Sequence, residues 1–168
     1  LYYQPIVDMN RHIVGAEALI RWEHPRYGLI MPITFLPLAE EIGLVKEIGK
    51  WALFTATKHL GKWRENHDIY VSINISAPEF ENSEFIEIVQ TALTHSFTLS
   101  SDCLKLELTE SEEMIYPERS INKMQEFCDI GIDIFIDDFG TGRASLSYLK
   151  HLPANTLKID KIFVNLNA

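Results

Sequence analysis

Six short stretches of this chain alternate or cluster apolar residues in the way strands do. They are Tyr2–Val7, Ile13–Ile20, Tyr70–Ile75, Cys103–Leu108, Asp133–Ile136 and Thr156–Ile159. Most are apolar and bounded by polar residues or Gly, the pattern of strands buried on both faces. Between them run stripes with helical spacing. Ile48, Trp51, Ala52, Ala56, Leu60 and Trp63 mark one apolar face, and Phe85, Ile88, Val89, Ala92 and Leu93 mark a second. Ile121, Met124 and Cys128 mark a third, and Gly131 follows as its C-terminal cap. All three stripes read as core packing. The turn Asp8-Met9-Asn10-Arg11 predicts a hairpin, so the first two strands should be antiparallel. The later alternation of strand and helix predicts parallel pairing. The chain reads as one domain, residues 1–168, ending just inside a further helix.

The polar residues at the strand ends carry the functional signal. They are Glu17, Asn74, Glu107, the pair Asp137-Asp138, and Lys158. Successive members from Asn74 onward lie 33, 30 and 21 residues apart, close to the roughly 30 residues of a βα unit. They therefore recur at the same end of successive strands, which in a βα barrel is the active-site face. The expected fold is α/β: a (β/α)8 TIM-like barrel. A closed barrel needs eight strands and about 250 residues, so the expectation here is a barrel truncated to about six strands.

Composition narrows the chemistry. Net charge is −9, from 24 acidic against 15 basic residues, which disfavours a nucleic-acid polymer or an anionic membrane as partner. A small phosphate substrate stays open, because bound cations reverse the local sign. No apolar run approaches the roughly 18 residues of a membrane span. The strand-like word at residue 1 leaves no signal peptide, so the chain reads as the cytoplasmic part of something longer. Cys103 and Cys128 lack metal-ligand spacing and read as thiols in a reducing compartment. The six histidines show no paired ligand spacing either.

Carboxylates without His or Cys suit hard divalent ions such as Mg²⁺ or Mn²⁺. Glu17, Glu107, Asp137 and Asp138 would repel one another if all ionised, and two cations would balance them. Adjacent Asp residues allow one carboxylate to bridge two ions while the other holds the second. Such a pair of ions suits in-line hydrolysis of a phosphodiester. Asn74 would add a neutral oxygen, Lys158 would orient the water or offset developing charge, and Arg21 could fork onto a phosphate.

At these residues the chain resembles the EAL domain family, bacterial phosphodiesterases that hydrolyse cyclic di-GMP to linear pGpG. The resembling words are Tyr3-Gln4-Pro5-Ile6-Val7, Gly15 to Trp22, and Pro37-Leu38-Ala39-Glu40-Glu41. Asn74, Glu107-Leu108-Thr109-Glu110, Asp137 to Gly142 and Leu157-Lys158-Ile159-Asp160 complete the set. The resemblance implies a modified barrel with an antiparallel first strand. It implies Glu17, Asn74, Glu107 and Asp137 as metal ligands, with Asp138 on a second ion. It also implies Glu17, Asp138 and Lys158 as the catalytic set, and Gln4, Leu19 and Arg21 match positions that contact cyclic di-GMP. Glu110 matches a glutamate that anchors the loop after the Asp pair, a loop linked in the family to homodimerisation. Arg143 stands where the family usually has Tyr, which weakens that link. The family's Glu-Gly-Val-Glu word does not occur, so a ligand of the second ion is expected outside this chain. Fused or partner sensor domains are also implied. The alternatives are a cyclic di-GMP receptor without catalysis and an inactive fragment acting through protein contacts.

Overall fold

The computed structural model of the chain describes residues 1–109, 117–141 and 152–164. In chain order its elements are β1 (Tyr2–Val7), β2 (Ile13–Leu19), β3 (Trp22–His24), β4 (Gly28–Ile30), α1 (Pro32–Glu41) and α2 (Val45–Arg64). Then come β5 (Tyr70–Asn74), α3 (Ala77–Phe80), α4 (Phe85–His95), a 3₁₀ turn at Ser101–Cys103, and β6 (Leu104–Thr109). The last are α5 (Pro117–Asp129), β7 (Asp133–Phe139), β8 (Thr156–Ile159) and α6 (Lys161–Val164).

Six strands form one sheet in the order β1-β2-β5-β6-β7-β8. β1 and β2 pair antiparallel, and every later pair is parallel. The turn between β1 and β2 is held by Asp8, whose Oδ1 accepts the N–H groups of Asn10 at 2.8 Å and His12 at 2.9 Å.

Side-chain alternation divides this sheet into two chemically different faces. Val71, Ile73, Leu104, Leu106, Leu108, Ile134 and Ile136 are buried in one core with α2, α4 and α5. Those helices contribute Leu53, Ala56 and Leu60, then Val89, Ala92 and Leu93, then Met124 and Phe127. The residues of opposite parity, including Ser72, Asn74, Glu107 and Asp137, take the other face. One set of strands thus serves as core and as scaffold for polar groups.

The floor of the polar face is filled. Tyr70 and Phe135 meet edge to face at 6.0 Å between centroids, and Lys105 pairs with Asp133. The Lys105 ammonium also lies 5.6 Å from the Tyr70 ring centroid. Gly15 on β2 leaves the space for Tyr70: a Cβ there would sit 2.7 Å from the ring.

Several local expectations change. β7 runs three residues past Ile136, so the Asp pair lies within the last residues of the strand rather than just beyond its end. Cys103 belongs to the 3₁₀ turn preceding β6. Trp51, placed on the core face by its spacing, is 51% exposed because the buried stripe of α2 runs through Ala52, Leu53 and Ala56 instead. The β3–β4 hairpin and α1 are additional elements. The hairpin strands have three residues each, and α1 contains Pro37, which reads in a sequence as a breaker.

Gly15→Ala should destabilise the fold by about 1–3 kcal/mol through overpacking against Tyr70. The modest backbone gain of replacing Gly in a strand should not offset this, because Phe135 and Lys105 restrict where the ring can go. Urea denaturation measures it, and an unchanged or raised midpoint would show that the ring has room.

Candidate metal centre at the strand ends

Five strands each deliver one polar group to the same end of the sheet. Glu17 comes from β2, Asn74 from β5, Glu107 from β6, Asp137 from β7 and Lys158 from β8. Parallel pairing sets Asn74 level with Glu107, whereas Thr109 stands opposite Asp137, so Asp137 rises two residues above Glu107. The turn after Asn74 is fixed by Glu79, which accepts the Ser76 N–H at 3.1 Å and the Ser76 hydroxyl at 2.5 Å.

The three carboxylates converge: one oxygen each from Glu17, Glu107 and Asp137 lies within 4.8 Å of the others. The Lys158 ammonium sits among them. It donates to Glu17 Oε2 at 3.1 Å, to Asp137 Oδ2 at 2.9 Å, and to Glu107 Oε2. Asn74 Nδ2 donates to Glu17 Oε1 at 3.0 Å. One ammonium against three carboxylates leaves negative charge in excess. An all-oxygen set of this kind fits a hard divalent ion. Glu107 Oε1 is buried and has no hydrogen-bond partner among the described residues.

Burial sets the electrostatics. It pushes the Glu107 carboxyl above its ordinary range, and the hydrogen bond from Lys158 pulls partly back. Burial also opposes the Lys158 charge, but the hydrogen bonds to Glu107 and Asp137 and the charges of Glu107 and Glu17 outweigh it, so the lysine pKa is raised. Asp138 is pushed up by burial, by the adjacent Asp137 charge, and by Asp160.

The Asp pair coincides with an irregularity. The register of β7 on β8 shifts between Ile136 and Phe139, and Asp138 adopts a left-handed backbone with φ 53°. Such a bulge re-aims neighbouring side chains. Asp138 N–H donates to Asp137 Oδ1 at 2.9 Å, and Thr141 Oγ1 donates to the Asp138 carbonyl at 2.8 Å. Asp138 is exposed and stands apart from the three converged carboxylates.

The remaining sequence candidates surround this centre. Gln4 is exposed on β1, opposite Glu17. Leu19 and Arg21 line a cavity of about 320 Å³ that Asn74 and Thr109 also line. Arg21 Nη1 donates to the Ile20 carbonyl at 2.7 Å. Glu110 and Arg143 lie outside the described residues. Two residues not singled out from the sequence also belong here, Ser72 beneath Glu107 and Asp160 beside Asp138. The available signal for Ser72 was its parity with Asn74 on an otherwise apolar strand.

A family model for the EAL domain matches residues 1–167. The bifunctional diguanylate cyclase/cyclic di-GMP phosphodiesterase MucR of Pseudomonas aeruginosa is 43% identical over 168 residues, which covers 98% of this chain and 24% of MucR. The signaling protein YkoW of Bacillus subtilis is 41% identical over 167 residues, covering 98% of this chain and 21% of YkoW. The chain thus spans about a quarter of the length of these relatives. A solved structure of PaMucR phosphodiesterase in a c-di-GMP complex superposes with a TM-score of 0.91 at 43% identity, over 97% of this chain and 67% of that one. The EAL enzyme Bd1971 in a cAMP and cyclic-di-GMP bound form superposes at 0.88 with 36% identity, over 96% and 46%. The six-stranded sheet and its helices are therefore those of an EAL barrel. Among the described residues, no helix is long and apolar enough to cross a membrane.

Removing the ammonium should expose the cost of the carboxylates. In chelating buffer near neutral pH, Lys158→Met should lose about 3 kcal/mol of stability, as when one partner of a buried ion pair is deleted. The wild-type contribution follows from the raised lysine pKa: it is complete below the ordinary 10.5 and lost as pH rises past the folded value. The deficit of the variant should shrink on acidification toward pH 5 as Glu107, already shifted upward, takes a proton. Denaturant unfolding at the two pH values checks this. An equal deficit at both would show that the ammonium is not balancing these carboxylates.

Proposed function

The chain belongs to the EAL domain family, and we propose that it carries the catalytic face of a metal-dependent phosphodiesterase that hydrolyses cyclic di-GMP to linear pGpG. The observation that carries this reading is the convergence of Glu17, Glu107 and Asp137, with Asn74 and Lys158, at one end of the sheet. The similarity to cyclic di-GMP-bound structures supports the substrate class.

Glu17, Asn74, Glu107 and Asp137 would hold one Mg²⁺ or Mn²⁺, and Asp138 with Asp137 a second. When bound, such ions acidify a water and stabilise the leaving oxygen of an in-line displacement. Lys158, paired with the carboxylates, would hold the attacking water and offset charge that grows on the phosphorus oxygens. Arg21, on the wall of the adjacent cavity, would clamp a substrate phosphate, with Leu19 and Gln4 shaping the approach. Burial keeps Glu107 from spreading toward solvent, which fixes the cluster before substrate arrives. Further proposals are a homodimer, and sensor or regulatory domains in the same polypeptide or in a partner. A cytoplasmic location fits a dissolved dinucleotide substrate.

The direct test is incubation of the protein with cyclic di-GMP and Mg²⁺ or Mn²⁺, followed by chromatography for pGpG. Binding without product would reassign the chain as a receptor. Glu17→Ala should lower single-turnover hydrolysis on the order of 10³-fold, the scale of several kcal/mol of metal chemistry. A loss under about tenfold would remove Glu17 from the set. Ca²⁺ should not support turnover, because its longer bonds and higher coordination number would spread the cluster.

Arg21→Ala should weaken cyclic di-GMP binding while leaving Mn²⁺ affinity nearly unchanged, since a guanidinium attracts phosphate and repels a cation. Calorimetry with each ligand separates the two. Unchanged dinucleotide affinity would make Arg21 a purely structural group anchored on the Ile20 carbonyl.

A further inference from the structure

Ser72 has no part in the chemistry described so far, yet it occupies the most enclosed position of the polar face. It lies in the middle of β5 with its residue surface wholly buried. Its strand neighbours Val71 and Ile73 point into the helix-covered core, so the Ser72 side chain belongs to the same face as Asn74. In register it stands beside Glu17 on β2 and beside Lys105 on β6, one pleat below the Asn74–Glu107 pair. It is therefore enclosed by the ligand candidates from below.

Two buried polar atoms without a partner among the described residues are Ser72 Oγ and Glu107 Oε1. A buried polar atom left unpaired forfeits its hydration without a replacement. The two residues are also neighbours: Ser72 pairs in register with Lys105, so Glu107 stands one pleat above it on the same face of the adjacent strand. The other carboxylate oxygen, Oε2, is already engaged by Lys158. A serine side chain can occupy any of three staggered χ1 wells, so a turn that carries Oγ toward Oε1 would satisfy both orphans at once.

We propose that Ser72 is a positioning residue that donates to Glu107 Oε1 and so pins the plane of that carboxylate, holding Oε2 toward Glu17 and Asp137. Ser72 touches neither substrate nor reacting atoms; it acts through Glu107. This inference rests on the reading of Glu107 as a metal ligand. Donors behind a ligating carboxylate fix its orientation, and their removal typically weakens metal binding by about 10–100-fold.

The test is Mn²⁺ titration by calorimetry on the wild type, Ser72→Ala, Ser72→Thr and Glu107→Gln, with circular dichroism confirming that each variant folds. Ser72→Ala should bind Mn²⁺ about 10–100-fold more weakly. Ser72→Thr keeps the hydroxyl and suits a strand, so it should stay within about threefold of wild type. Glu107→Gln should lose more affinity than Ser72→Ala. If Ser72→Ala binds as wild type, or if Ala and Thr weaken binding equally, the hydroxyl is not positioning Glu107 and the proposal falls while the metal centre stands. If the wild type and Glu107→Gln bind Mn²⁺ alike, the metal reading of Glu107 falls and Ser72 falls with it.

Discussion

The site depends on a carboxylate, Glu107, held where water does not reach it. Its side chain is fully buried and shares the Lys158 ammonium with Glu17 and Asp137. An isolated charge in that place would neutralise itself or unfold its surroundings. The ammonium makes ionisation tolerable but does not cancel three carboxylates. That residual imbalance is the physical basis for a divalent cation, and it holds whichever ion is preferred. A buried ion pair is weak evidence for stability, since desolvation consumes much of what attraction supplies. Its presence at the end of strands whose other face is an apolar core therefore points to function.

The sheet can carry such a cluster because its two faces answer to different demands. The face under α2, α4 and α5 supplies the apolar burial. The opposite face is filled at its floor by Tyr70, Phe135 and the Lys105–Asp133 pair, which closes the base beneath the carboxylates. Precision at the strand ends then comes from the ladder itself. Each ligand candidate sits on a strand whose neighbours fix its height, and strands hold geometry better than loops do.

Much of this was legible in the sequence, and the reason is periodicity. Apolar words ending in one acid or amide force that residue onto the end of a buried strand, so Glu17, Asn74, Glu107 and Lys158 could be placed on one face without coordinates. The antiparallel start followed from the short turn at Asp8. What was not legible depended on longer-range packing. Trp51 satisfies the helical period of α2 but lies off the buried stripe, which runs through Ala52, Leu53 and Ala56. Helix α1 carries Pro37 within it, against local propensity. The side-chain convergence of Lys158 on three carboxylates is a tertiary fact with no sequence period to announce it, and Ser72 looked like an ordinary strand serine.

The Asp pair shows the limit of pattern most clearly. Two adjacent residues on a regular strand point to opposite faces, so a sheet that simply continued would turn Asp138 away from Asp137's side. The chain instead breaks register between Ile136 and Phe139 and takes Asp138 into the left-handed region. Aspartate tolerates that conformation better than most residues. The Asp137 carboxylate accepting the Asp138 N–H, and Thr141 donating to its carbonyl, hold the distortion in place. Backbone strain of this kind costs on the order of 1–3 kcal/mol and persists where surrounding contacts over-determine it. Here it releases Asp138 from strict alternation and sets it near Asp160. The irregularity is thus how one strand carries two adjacent carboxylates with different surroundings, Asp137 within the converged trio and Asp138 exposed outside it.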